Sequence, residues 1–393
     1  MAATITEQEV RPSELSPLRR GLMTVLRSRE LAIALVLILL ITATAIRSPG
    51  FVTGADGWRS LLVNPSILIL LAVGQTIVII TRNVDLSVGS TMGLTAYLTG
   101  RLFIDTALPI PVVVLLAVLA GAVLGLVNGL LVGFGRVPAL VITLGTLYIY
   151  RGIFLTWAGS SRITASEIPG GFLALGTTQI LTIPVLTIVA LIVLAAAGYY
   201  LHSTRSGREL YAIGSDPDAA VLYGLPTTRR VIGAFVASGA LAGLAGVFYV
   251  ARYGTVSSNA GYSIELQAVG AAVIGGVAIF GGSGTVWGAA IGATLLVTIN
   301  SALPVLGISD FWQRAVVGVL ILAAVVLDRV VAAMHERRLA QVRDDPGEGA
   351  PPTSPPSDPD DHPIAAPVGS QQHTTGPDRL LGDPSTSDEG SRR

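Results

Sequence analysis

The stretch 81–93, TRNVDLSVGSTMG, constrains this chain more than any other, because it sets an Asp, an Asn and two Ser inside an otherwise apolar sequence. Leu61–Thr81 before it and Leu86–Ile104 after it each read as a membrane-spanning run. Hydrocarbon supplies no hydrogen-bond partners. A polar break of this kind therefore persists where protein packs around it or where it lines a water-filled path, as in the interrupted helices of transporters. The plainer alternative is a short solvated turn between two spans.

Composition narrows the choice. Only 13% of the 393 residues are charged and the mean hydropathy is +0.67, whereas soluble domains carry about 25% charged residues. No cysteine is present, which removes disulfides and thiolate metal sites. All 25 basic residues are Arg. Without lysine there is no phosphate-binding loop of the Walker A type and no Schiff-base chemistry, so any ATP must be hydrolysed by a different chain. The Arg residues are dispersed and form no basic face, which argues against nucleic acid as a partner. HERRL at 335–339 lacks the second His of a zinc-protease motif, and no G-x-S-x-G occurs, so catalysis is not expected of this chain and no cofactor is expected in it.

Apolar runs fall at about 31–46, 61–81, 86–104, 107–134, 137–157, 181–201, 230–252, 265–281, 284–303 and 313–331. Most approach the roughly 20 residues that a helix needs to cross hydrocarbon. The expectation is an all-α membrane protein of about ten transmembrane helices. Residues 1–30 form a cytoplasmic arm, 31–331 the transmembrane domain, and 332–393 a cytoplasmic, largely disordered tail rich in Pro, Ser, Asp and Gly. The first run starts late and lacks a small-residue cleavage pattern, so it reads as a retained span. With both termini inside, fifteen Arg fall in inside segments (11, 19, 20, 27, 29, 82, 136, 205, 208, 229, 230, 329, 337, 338 and 343) and seven outside or at outer borders (47, 59, 101, 151, 162, 252 and 314). That split follows the positive-inside bias.

Gly121, Gly125, Gly129 and Gly133 recur every four residues and make one flat stripe along a helix, as do Gly239 with Gly243 and Gly288 with Gly292. Small residues at this spacing let membrane helices approach closely, so these glycines belong to the fold and not to a ligand. Gly281–Gly284, GGSG, is a second polar interruption between apolar runs. It suggests two inverted five-helix halves divided near residue 200. The longest inside connection, 202–229, contains an Ala-rich segment, Asp218–Tyr223, with Ser215 or Asp216 as candidate cap and Pro217 at the first helical position. A short helix held at the membrane surface suits the docking of a partner; an ordinary solvated connection is the alternative.

Four segments, VDLSVGS at 84–90, RVPALVITLGTLYIYRG at 136–152, GRELYAIGSDPDAAVLYG at 207–224 and IGGVAIFGGSGTVWGAAIGA at 274–293, give the chain a resemblance to the permease subunits of ATP-binding-cassette monosaccharide importers of the ribose/xylose/arabinose type. Thr81-Arg82-Asn83 and Tyr150-Arg151-Gly152 lean toward the rhamnose and autoinducer-2 branch. The resemblance implies a multi-pass cell-membrane protein working with a second or sister permease, cytoplasmic ATP-binding subunits and an extracytoplasmic sugar-binding protein. It also implies that 207–224 receives the ATPase stroke, through Arg208, Glu209, Tyr211, Gly214, Asp218, Ala219, Ala220 and Gly224. For the cargo path, which needs amides and hydroxyls, the candidates are Asn83, Asp85, Ser87 and Ser90, together with Asn128 and Gln267. Asp85 doubles as a cap for the helix that follows it. The alternatives are a branched-chain amino-acid permease of the same architecture and an ion-coupled secondary transporter. The second is disfavoured because its proton relay requires ionisable groups deep within spans, and these spans are nearly free of them.

Overall fold

The computed structural model describes residues 29–309 apart from 55 and 136, together with scattered helical positions between 312 and 326. The arm through residue 28, most of the expected span 313–331 and the tail 332–393 lie outside the described residues. The chain is mostly helical: α1 (Arg29–Arg47), α2 (Gly50–Thr53), α3 (Gly57–Ile80), α4 (Val88–Asp105), α5 (Ile110–Gly135), α6 (Ala139–Ala158), α7 (Gly170–Thr177), α8 (Val185–Ser203), α9 (Arg205–Ser215), α10 (Pro217–Leu222), α11 (Thr227–Tyr253), α12 (Ile264–Ile274) and α13 (Val286–Val305). Between α7 and α8 a two-stranded antiparallel hairpin pairs Gln179 with Pro184 and Ile180 with Ile183.

Seven described helices, α1, α3, α5, α6, α8, α11 and α13, are long and apolar enough to cross a membrane. Large apolar side chains stand exposed along α1, α5, α6 and α8, among them Ile38, Leu115, Val123, Val141 and Ile192. Apolar surface of that extent suits a hydrocarbon solvent, and the protein is multi-pass. By contrast α3 is enclosed on nearly every side and forms the axis of the bundle, with α8, α11, α12 and α13 packed on it. Helix α4 is as long as a span but more polar, because it too runs through protein. Its buried Thr95 and Thr99 satisfy their hydroxyls by donating to carbonyls one turn back, Thr91 O and Thr95 O, each at 2.8 Å.

Burial inside a membrane gains little hydrophobic free energy, so close packing and polar bonds must hold the helices. The glycine stripe of α5 supplies the packing. A Cβ on Gly121 would strike Gly239 O and the Gly243 backbone, and one on Gly125 would strike Phe235 O. Backbone therefore lies directly on backbone along the α5–α11 seam. Gly288 and Gly292 serve the α12–α13 pair likewise, against Gly275 and Ala271.

Two boundaries depart from the expected runs. The run 265–281 is helical only to Ile274, because Gly276, Gly281, Gly282 and Gly284 have φ of 91°, 82°, 73° and 134°, values that stop an α-helix. Eleven residues reach only about 16 Å, too short for this helix to cross hydrocarbon by itself. The run 181–201 becomes helical at Val185, since its first residues close the hairpin with Leu181 and Thr182 at φ of 50° and 71°.

Candidate functional site

Asp85 and Ser87, in the second half of the break, are buried inside protein, whereas Arg82 is exposed. Asp85 is 1% exposed. Its Oδ1 accepts from the Ser87 amide at 3.0 Å, the Ser87 hydroxyl at 2.7 Å and Asn128 Nδ2 at 3.5 Å, and its Oδ2 accepts from the Ser238 hydroxyl at 3.1 Å. Asn128 Nδ2 also donates to Ser87 Oγ at 2.7 Å, and the Tyr150 hydroxyl reaches Asn128 Oδ1 at 3.4 Å. The backbone of Asp85 is held separately, its carbonyl accepting from Gln75 Nε2. Thr143 Oγ1 fixes the preceding carbonyl, Val84 O, at 3.0 Å. One carboxylate thus ties the break to α5 and α11, while neighbouring bonds tie it to α3 and α6. Ser238 lies eleven residues into α11, about 16 Å from that helix's start, so the knot is deep in the bundle.

Three interruptions meet at one end of α3. Arg82, in the left-handed region at φ 62°, donates from Nε to Phe280 O at 2.7 Å and from Nη2 to Ser215 O at 2.8 Å. The Gly282 amide donates to Ile80 O at 2.9 Å, and a Cβ on Gly214 would strike that same carbonyl. The 81–83 turn, the 281–284 glycines and the C-terminal end of α9 therefore share one junction.

From this junction projects α10. Asp216 caps it, accepting from the amides of Asp218 at 3.1 Å and Ala219 at 3.0 Å, with Pro217 in the first turn. Ala220 is buried and Gly224 ends the segment at φ 73°. Val221, Leu222 and Tyr223 are 61%, 88% and 86% exposed. Glu209, nearly buried on α9, pairs with Arg230 at 2.6 Å and Arg205 at 2.9 Å. The hydrogen bond from Arg230 is the larger influence, ahead of that from Arg205, and holds the Glu209 carboxyl below the usual carboxylate range. The Tyr211 hydroxyl donates to Gly284 O at 2.9 Å, and Arg208 donates to the Ser203 carbonyl at 3.1 Å as α8 ends. Most residues singled out from sequence in this segment are thus its anchors, and the exposed apolar tip Val221–Tyr223 is the end of the segment Asp218–Tyr223 that the sequence marks as a docking element.

The cargo-path candidates do not assemble in one place. Asp85, Ser87 and Asn128 share the buried knot. Ser90 is buried with its hydroxyl unpartnered among the described residues. Asn83 folds its amide back onto Thr81 and borders a cavity of about 400 Å³ with Arg82, Pro138 and Thr228. Gln267 borders a different cavity, of about 260 Å³, toward the opposite end of α3, with Asn64 and Asn300. Asn64 and Ile80 lie sixteen residues apart on α3, about 24 Å. Sequence reasoning missed Gln75, Arg82, Ser238, Asn64 and Asn300. The amides and the hydroxyl among them stand inside apolar runs, and that position was the available signal.

The profile of the family described as branched-chain amino acid transport system / permease component matches residues 59–325. The chain is 35% identical over 327 residues to the Autoinducer 2 import system permease protein LsrC of Enterobacter sp. (strain 638), covering 82% of this chain and 94% of that protein. The protein of the same name from Escherichia coli (strain K12 / DH10B) is 37% identical over 273 residues, 70% of this chain and 79% of its own. The Klebsiella pneumoniae protein of that name is 34% identical over 327 residues, 82% and 94% of the two chains. No solved structure matches at a significant level.

Proposed function

The chain belongs to the branched-chain amino acid transport system permease-component family, and from that premise we propose that it carries a small hydroxylated cargo of the autoinducer-2 type inward across the cell membrane. It is the permease of an ATP-binding-cassette importer and not its ATPase. The relatives named above support the cargo; the family's general description supports an amino-acid cargo as the second reading.

The observation that carries the mechanism is the junction at Arg82. A partner ATPase seated on the exposed Val221–Tyr223 tip moves α10, whose neighbouring Ser215 carbonyl is bonded to Arg82. Arg82 is three residues from Asp85, so a displacement of α9 and α10 bears directly on the knot that joins α5 and α11. Arg208, Glu209, Tyr211 and Gly214 keep the loop stiff enough to transmit that stroke, while Asp218, Ala219, Ala220 and Gly224 shape the helix that receives it.

This assignment makes the Arg82 end cytoplasmic and the Asn64 end external, with both chain termini cytoplasmic, and the arginine distribution supports it. It further proposes ten crossings in two inverted halves, the α12 crossing being completed by its loop. A second or sister permease and an external binding protein complete the complex. In this scheme Asn83 borders the inner mouth, Gln267 the outer one, and Asp85, Ser87, Ser90 and Asn128 the region that rearranges between them.

The test is uptake of autoinducer-2 by the permease reconstituted in proteoliposomes with its ATPase and binding protein. ATP-dependent accumulation is expected. Accumulation of leucine but not of autoinducer-2 would favour the second reading.

A further inference from the structure

The cavity beside Gln267 is framed by the ends of α3, α11, α12 and α13. Asn64, Tyr249, Tyr253, Gln267, Asn300 and Ser301 supply its polar and aromatic groups. Its volume of about 260 Å³ lies just below the range of ordinary small-molecule sites and suits a compact ligand. Among the described residues, no charged side chain lines it.

Polar atoms stand open around this space. Asn300 Oδ1 is shielded from solvent yet has no partner among the described residues. A buried amide oxygen left bare is costly, so the site favours a donor arriving from elsewhere. Asn64 is oriented for such a role, because Arg252 Nε donates to its Oδ1 at 3.1 Å and thereby commits that oxygen, leaving the amide protons to donate. The Tyr249 and Tyr253 rings lie 4.8 Å apart at 52° and form an aromatic wall. Donors, acceptors and an aromatic wall in a neutral setting match a compound bearing hydroxyls on one edge and C–H groups on one face. An amino acid would bring an ammonium and a carboxylate, and no described side chain lining the cavity carries a charge to offset either one.

We propose that this cavity is a cargo subsite for a neutral polyhydroxylated molecule of monosaccharide size, and that it discriminates against amino acids. The inference rests on the importer reading, since it names the cargo class that the external mouth admits.

The experiment uses the full complex in proteoliposomes, with autoinducer-2 as the transported probe and ribose, rhamnose and leucine as unlabelled competitors. Asn300→Leu and Gln267→Met each remove hydrogen-bonding capacity and are expected to lower uptake at sub-saturating cargo about three- to tenfold, the factor for one neutral hydrogen bond, with ATPase turnover unchanged. Tyr253→Phe removes one hydroxyl from an exposed ring, so it keeps the test open should either of the first two fail to assemble; its uptake should fall in the same sense. Uptake equal to wild type in every assembled variant, from a wild-type complex that imports autoinducer-2, would overturn the subsite and leave the importer reading standing. A wild-type complex that imports leucine and is not competed by either sugar would overturn both.

Discussion

Asp85 holds Ser87, Asn128 and Ser238 with two oxygens, and Asp85→Ala strands the buried Ser87 and Ser238 donors, while Asn128 keeps its bond to the Ser87 hydroxyl. Each stranded donor costs about 1–3 kcal/mol, and the expected result is a purified permease that melts several degrees lower. Asp85→Asn keeps an acceptor and is expected to fold; a transport defect in a normally melting Asn variant would locate the defect in the carboxylate's charge. The knot was partly legible in the sequence, because Asp85, Ser87 and Asn128 are polar residues flanked by apolar ones. Ser238 and Gln75 carry the same signal, but nothing local says which of many buried hydroxyls and amides finds a carboxylate 153 residues away. Glu209 gives a pH prediction. Its folded carboxyl titrates below the ordinary value of 4.5, so its pairing adds stability above that value and loses it as pH falls through the depressed one. As pH falls below the ordinary value of 4.5 and through the depressed one, wild type should therefore lose more stability than Glu209→Gln, as read from melting curves.

Helix seams separate tolerated from forbidden side chains. Gly125→Ala drives a methyl into Phe235 O, a backbone atom that cannot turn aside, and should cost about 1–3 kcal/mol as overpacking. Gly133→Ala meets only the Thr228 methyl and the Ile232 side chain, which can yield, so its melting temperature should stay near wild type. Little change in the first variant, or a large loss in the second, would refute this account of the seam. The four-residue glycine period made the stripe legible from sequence, yet its partner was not, since many faces of a membrane helix accept small residues. The end of α12 was misjudged for a related reason. Ala278, Ile279 and Phe280 are apolar and extend the run, whereas the chain there follows the left-handed glycines on either side. Hydropathy registers side chains and is blind to backbone handedness.

Across the whole molecule, the exposed tip and the deep knot are joined by Arg82, and the two ends of that linkage can be tested apart. Leu222→Glu charges a side chain that touches little of its own protein, so the permease should insert and melt normally while its co-purification with the ATPase falls at least tenfold. Gly214→Leu collides with Ile80 O inside the junction; the ATPase should still bind, but turnover should no longer drive uptake. Retained uptake in that variant would remove the junction from the mechanism. The overall class was legible from length and hydropathy of the runs. The joining of distant interruptions was not, because hydrogen bonds from one Arg to carbonyls at 215 and 280 leave no trace in residue type. The glycine seam has a further consequence, in the time domain. Gly121 meets Gly239, a residue made 118 positions later, so at ordinary synthesis speeds the face of α5 waits on the order of ten seconds for its mate. During that interval a bare backbone groove faces lipid, open to any small-residue helix nearby. Biogenesis of this protein therefore depends on how well a nascent chain is kept from the wrong neighbour, and a ribosome stalled before residue 227 would leave a product with no correct way to close.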